Sequence, residues 1–138
     1  MKILPNKINK FFDSILSKLS VQKKDRNLLI KSLLDSSIRG VDSHGIRLFS
    51  HYVKCIENGR IKAKPKMKLI KKNRGVAVYD ADDGLGHVAA LKASAIVSSM
   101  AKKNGIASIG IINSHPKAQQ VDIRLVIQKK LISPRPIT

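Results

Sequence analysis

The sequence predicts an α/β (α+β) fold: a helical N-terminal subdomain followed by the opening of an α/β layer. Three observations carry this. Apolar residues recur at helical spacing from Ile8 to Ile56. From Met67 onward the pattern changes to short β-rich runs around an Asn73-Arg74-Gly75 turn. A long Ala- and Ser-rich stretch then leads into the apolar run Ile106 to Ile112, which gives the strand–helix–strand order of such a layer.

Taken in order, Ile8, Phe11, Phe12, Ile15, Leu16 and Leu19 fall at i, i+3, i+4, i+7, i+8 and i+11, so residues 6–19 form an amphipathic helix with Pro5 in its first turn. Ser20 is placed as the N-cap of a second helix that carries Leu29, Ile30, Leu33 and Leu34 inward, runs to Ile38 and stops at Gly40. Asp42-Ser43 is expected to cap a third helix ending at Gly59. The basic, proline-containing loop 60–66 marks a boundary between a helical subdomain, residues 1–62, and a partial α/β domain, residues 63–138. There Met67–Lys71 and Val76–Tyr79 read as strands, Asp80 to Gly86 as a loop, Val88 to Lys103 as a helix and Ile106 to Ile112 as a buried strand.

Composition narrows the function classes. Hydrophobic residues make up 43% of the 138, with three Phe, two Tyr and no Trp, so the core is expected to be mostly aliphatic. No window approaches 18 uncharged apolar residues, and no membrane-spanning helix is expected. Lys7, Lys10 and Asp13 interrupt any apolar run near the N-terminus, which argues against a secretory signal and for a cytoplasmic location. The single cysteine, Cys55, cannot form an internal disulfide and reads as core packing. Lys and Arg total 27 against nine Asp and Glu, a net charge of +18. Such an excess attracts polyanions. The basic residues are nevertheless spread along the chain in pairs such as Lys71-Lys72 and Lys102-Lys103, few aromatics accompany them, and no zinc-finger or RRM signature is present. The reading is a Lys-rich solvated surface, with a nucleic-acid-binding module as the rival.

The segment Arg39-Gly40-Val41-Asp42-Ser43-His44-Gly45-Ile46-Arg47-Leu48 holds the chemistry. On a helical wheel His44, Arg47 and His51 fall within about 60° of one another, with Phe49, Val53 and Ile56 opposite. An imidazole and a guanidinium would then share a cleft, with Gly45 leaving room for a ligand. Reduction of a 2-oxo acid needs a proton donor at the carbonyl oxygen, and histidine has the unperturbed pKa nearest neutrality. The carboxylate needs a planar fork, which arginine supplies. Ser43 would orient the imidazole or relay its proton. The same residues also read as plain capping chemistry ahead of a helix, with an exposed His and Arg of no function.

Gly84-Leu85-Gly86-His87-Val88-Ala89 fits G-x-G-x-x-[GA] and suggests a Rossmann phosphate loop on its own. Asp82 and Asp83 ahead of the glycines, and the lack of an acidic residue from Asn104 to Ile112, favour a tight helix entry instead. His51 and His87 read as surface or structural residues, and no cluster has metal-ligand spacing.

Residues 38–48, with Tyr52, Ile56, Gly59 and Ile61, resemble the malate/L-lactate dehydrogenase family; Asp82 to Ala89 resembles the family's Gly-rich turn, where Gln is usual in place of His87. Gly105-Ile106 and Asn113-Ser114-His115 fall in register, so the resemblance covers residues 10–115. It implies a helical subdomain joined to a non-Rossmann NAD(P)-binding α/β domain, a homodimer, a small 2-hydroxy or 2-oxo acid as substrate, and NAD or NADP as cofactor. It further implies His44 as the catalytic acid/base with Ser43 as its relay neighbour, and Arg47, Tyr52 and His115 as substrate contacts. The chain departs from the family at Pro116-Lys117-Ala118-Gln119-Gln120, and Leu125 to Thr138 is only weakly similar. The resulting expectation is a truncated N-terminal part of such an oxidoreductase, lacking most of the cofactor site and inactive as an isolated chain. A non-catalytic dimerisation fragment and the nucleic-acid-binding module are the alternatives.

Overall fold

The structure, a computed structural model, describes residues 5–115; the divergent segment after His115 and the tail from Leu125 lie outside the described residues. Helix α1 spans Pro5–Lys18 and buries Phe12 and Leu16. Ser20 closes it instead of opening the next helix. Its φ of 61° is left-handed, its N–H donates to the Ser17 carbonyl at 3.0 Å, and the Val21 N–H reaches the Leu16 carbonyl at 3.1 Å. This is a Schellman closure, sealed by contact between the apolar residues that flank it. Helix α2, Lys23–Ile38, therefore begins after Gln22 without a side-chain cap. It ends as expected, with Gly40 at φ 78° and the Val41 N–H donating to the Ser36 carbonyl at 2.9 Å.

The third helix starts later than the sequence suggests. Asp42–His44 and Ile46–Leu48 are two single 3-10 turns, separated by Gly45 in an extended conformation, and α3 covers only Phe49–Glu57. Neither Asp42 nor Ser43 caps a helix. Helix α3 buries Phe49, Tyr52, Cys55 and Ile56.

Strand β1 (Lys68–Asn73) pairs antiparallel with β2 (Val76–Leu85), and β2 pairs in parallel with β3 (Ser108–His115) through helix α4 (Gly86–Asn104). All six residues of β1 are exposed, and its lysines suit an edge strand. The expected loop from Asp80 to Gly86 is instead an irregularity within β2: Asp82 and Asp83 take φ values of 47° and 55°, after which Gly84 pairs with Ser114 and Leu85 with His115. The expected strand Ile106 to Ile112 likewise starts and ends later, reaching His115.

Two buried clusters result. Leu16, Leu29, Ile30, Leu33, Phe49, Tyr52 and Ile61 pack together in the helical part, where Phe12 and Phe49 stack at 3.6 Å. Ala77, Tyr79, Ala81, Ala93, Val97 and Ile109 pack between α4 and the sheet. Each fully buried aliphatic side chain contributes about 1.5–3 kcal/mol. Helix α4 joins the clusters, because Val88 belongs to the first and Ala89 to the second. An ion pair reinforces that seam: Lys92 Nζ of α4 lies 2.7 Å from Oδ1 of Asp25 on α2, whose carboxylate is buried.

Asp82 ties the basic loop to the sheet. Its carboxylate accepts from Lys62 Nζ at 2.5 Å and from the Lys66 N–H at 2.7 Å. These two donors hold its pKa below the ordinary carboxylate value. A depressed carboxylate pKa contributes stability that is present above the unfolded value and is lost as pH falls through the folded one. Thermal melts of wild type and Asp82→Asn should therefore differ most near neutrality and converge as pH falls below the ordinary carboxylate value. A gap that persists at the acid end would contradict the assignment.

Candidate active site

A cavity of about 330 Å³ lies where the helical part meets the carboxyl ends of β2 and β3. Five pieces of chain build it, one of them the second 3-10 turn through Leu48. The first 3-10 turn supplies Ser43 and His44; α3 supplies Tyr52; the first turn of α4 supplies Gly86, His87 and Ala90; and the end of β3 supplies Ser114 and His115. Small ligands in parallel α/β layers sit outside the carboxyl ends of the strands, and this cavity is so placed.

The polar groups converge from different elements. Ser43 Oγ lies 2.9 Å from His44 Nδ1, which leaves Nε2 as the ring's second proton-carrying atom. A hydroxyl both donates and accepts, so it can partner either tautomer of the ring. Tyr52 and His115 are buried at 5% and 8% exposure, held by the packing beneath them. His87 Nδ1 lies 2.9 Å from Ser32 Oγ of α2, and its ring meets that of Tyr52 edge-on at 5.7 Å. Among the described residues the lining contains three imidazoles, a phenol and two serine hydroxyls, and no carboxylate, ammonium or guanidinium.

Four of the five residues singled out in the sequence, Ser43, His44, Tyr52 and His115, thus line one cavity. Arg47 does not join them. It lines a separate, mostly apolar hollow with Ile8, Phe11, Phe12 and Ile46. Residues 42–57 do not form one continuous helix: extended Gly45 rotates the two 3-10 turns independently, so His44 and Arg47 do not share a helical face. Gly45 also makes no room for a ligand. A Cβ there would run into Ser37 Oγ, the atom that accepts a hydrogen bond from the Ile46 N–H at 2.9 Å. The glycine lets α2 approach the turn and so positions His44 indirectly. His87, read from sequence as surface or structural, belongs to the cavity; its signal was its place right after Gly86 at the opening of α4. His51 is exposed, with Nε2 3.5 Å from the Sγ of buried Cys55.

The glycines of Gly84-Leu85-Gly86 serve packing. A Cβ on Gly84 would meet Met67 and Pro65, and one on Gly86 would meet the His115 carbonyl oxygen. The close approaches that a phosphate loop reserves for its ligand are taken up by the chain itself. A volume of about 330 Å³ suits a three- or four-carbon acid and lies at the bottom of the range for drug-sized ligands, below what a dinucleotide requires. Among the described residues the cavity is smaller than the body of a dinucleotide.

A family model described as malate/L-lactate dehydrogenase matches residues 3–120. The chain belongs to the malate/L-lactate dehydrogenase family. It is 30% identical over 115 residues to the malate dehydrogenase of Pyrococcus abyssi, covering 83% of this chain and 32% of that protein. It is also 30% identical over 115 residues to the L-sulfolactate dehydrogenase of Methanocaldococcus jannaschii, covering 83% of this chain and 33% of the relative. The solved structure of malate dehydrogenase from Pyrococcus horikoshii OT3 superposes with a TM-score of 0.79 at 29% identity, over 83% of this chain and 33% of that one. The chain spans about a third of the length of these relatives. Its α/β fold and its oxidoreductase family are those expected from the sequence, and the nucleic-acid-binding alternative gains no support. Among the described residues no helix is long and apolar enough to cross a membrane, and no group of three His, Cys, Asp or Glu is placed to hold a metal.

Proposed function

We propose that this chain forms the acid-binding, proton-handling wall of an NAD(P)-dependent dehydrogenase that interconverts small 2-hydroxy and 2-oxo acids of the malate/L-lactate type. The observation that supports it most is the Ser43–His44 pair at 2.9 Å on the rim of a cavity shared with Tyr52 and His115. His44 is the acid/base. In the reducing direction its imidazolium gives a proton to the carbonyl oxygen; in the oxidising direction the neutral ring takes the hydroxyl proton, and Ser43 holds the ring through Nδ1 in both. Tyr52 and His115 donate to the carboxylate, the role the sequence assigned to Arg47; Arg47 reaches the acid only if its side chain leaves the hollow it occupies. NAD or NADP is the redox partner implied by the family, and its body finds no seat among the described residues. The isolated chain is therefore expected to lack turnover, while retaining weak affinity for the acid. The homodimeric state implied by the family resemblance and the cytoplasmic location expected from the composition belong to the same proposal.

Calorimetric titration with L-lactate, alongside NAD(P)H oxidation with pyruvate and oxaloacetate, tests this. His44→Ala should weaken L-lactate binding about fivefold, since the hydrogen bond between its ring and the substrate hydroxyl, about 1 kcal/mol, is lost. Unchanged binding in that variant would remove His44 from the site. Clear turnover by the chain would overturn the expectation of inactivity.

A further inference from the structure

His87 lines the same cavity and takes no part in the proton transfer assigned to His44. Its surroundings are those of a fixed contact. Ser32 Oγ of α2 holds Nδ1 at 2.9 Å, and the Tyr52 ring packs edge-on at 5.7 Å with an interplanar angle of 79°. The side chain is half-buried and stands in the first turn of the 19-residue helix α4, whose partial positive charge favours an anion at that end. Among the described residues the lining holds no carboxylate and no Lys or Arg, so the polar groups these residues offer a ligand are imidazoles and hydroxyls. His44 rises from the 3-10 turn and His87 from α4, so the two rings approach the cavity from separate elements. A ligand with one anionic group needs only one such wall; a ligand with two is served by both.

We propose that His87 is a specificity-determining residue, which binds the second anionic group of a small 2-hydroxy or 2-oxo diacid and so selects dianionic over monoanionic acids. This rests on the reading of the cavity as an acid-binding site. Ser32 is its positioning residue, fixing the ring from outside the cavity. The proposal separates the roles of the histidines: His44 handles the proton common to every 2-hydroxy acid, and His87 reads the group in which they differ.

The test compares L-malate with L-lactate by calorimetry on the full chain near pH 6.5. Wild type should bind L-malate about tenfold more tightly than L-lactate, the value of one charge-assisted contact. His87→Ala should abolish that preference by weakening L-malate alone, with L-lactate within twofold of wild type. His87→Gln keeps a hydrogen-bond donor without the imidazole, and should retain part of the preference and the wild-type fold. Loss of both affinities in parallel in His87→Gln, or a preference for L-malate that survives both substitutions, would overturn the role of His87 while leaving the acid-binding cavity standing. Binding of neither acid to wild type would overturn both.

Discussion

Replacing Lys92 by Met is expected to destabilise the protein by about 3 kcal/mol, because it strands the Asp25 carboxylate. That carboxylate is only 3% exposed, and Lys92 Nζ at 2.7 Å is its ion-pair partner. Breaking a buried pair from one side typically costs 3–5 kcal/mol, far more than the pair contributes when compared with apolar residues. The low end applies because Lys92 is 34% exposed, so water partly compensates. In a chain of this size the loss should appear as a fall in Tm on the order of 10 °C. The double variant Asp25→Leu with Lys92→Met should recover most of it, since no unpaired charge then remains. Equal melting of the single variant and wild type would show that the pair does not form. The expected consequence reaches the cavity too, because α4 carries both Lys92 and His87.

The second large effect is expected at Gly86. A Cβ there would collide with the His115 carbonyl, a backbone atom that cannot swing aside as a flexible side chain can. Gly86→Ala must therefore push α4 away from β3, or break the Leu85–His115 pairing. Overpacking of this kind costs about 1–3 kcal/mol, occasionally more. The displacement falls between two walls of the cavity, since Gly86, His87 and His115 all line it. Acid binding should be lost by more than the stability change alone explains, even in the fraction that remains folded. Retention of wild-type L-malate affinity in Gly86→Ala would show that this packing does not set the cavity's shape.

Much of this arrangement was legible in the sequence. The spacing of Ile8, Phe12 and Leu16, the stop at Gly40 and the change of period after the basic loop gave the order of elements and most of the core, because burial dominates those choices. What the sequence left hidden was local backbone geometry. Ser20 and Asp42-Ser43 have the chemistry of N-caps, but Ser20 closes α1 and Gly45 interrupts the third helix, and neither choice follows from residue preference alone. The strained Asp82 and Asp83 look like loop residues because a two-residue register shift in β2 leaves no periodic trace. Site membership was legible where residues fell in one recognisable segment, as with Ser43 and His44. It was not where only tertiary packing decides. Arg47, three residues from His44, faces another hollow, while His87, 43 residues away, shares the cavity with it.

The histidine ring signals offer the most direct test of the central claim, that the His44 imidazole meets the acid in this cavity. Their Cε1–H resonances would be followed by NMR as L-malate is added, with each assigned by substitution. The His44 signal should shift saturably, the His115 signal should move with it, and that of His51, which does not line the cavity, should stay in place. A saturable shift at His51 with His44 unmoved, or no shift at any ring at saturating acid, would contradict the account.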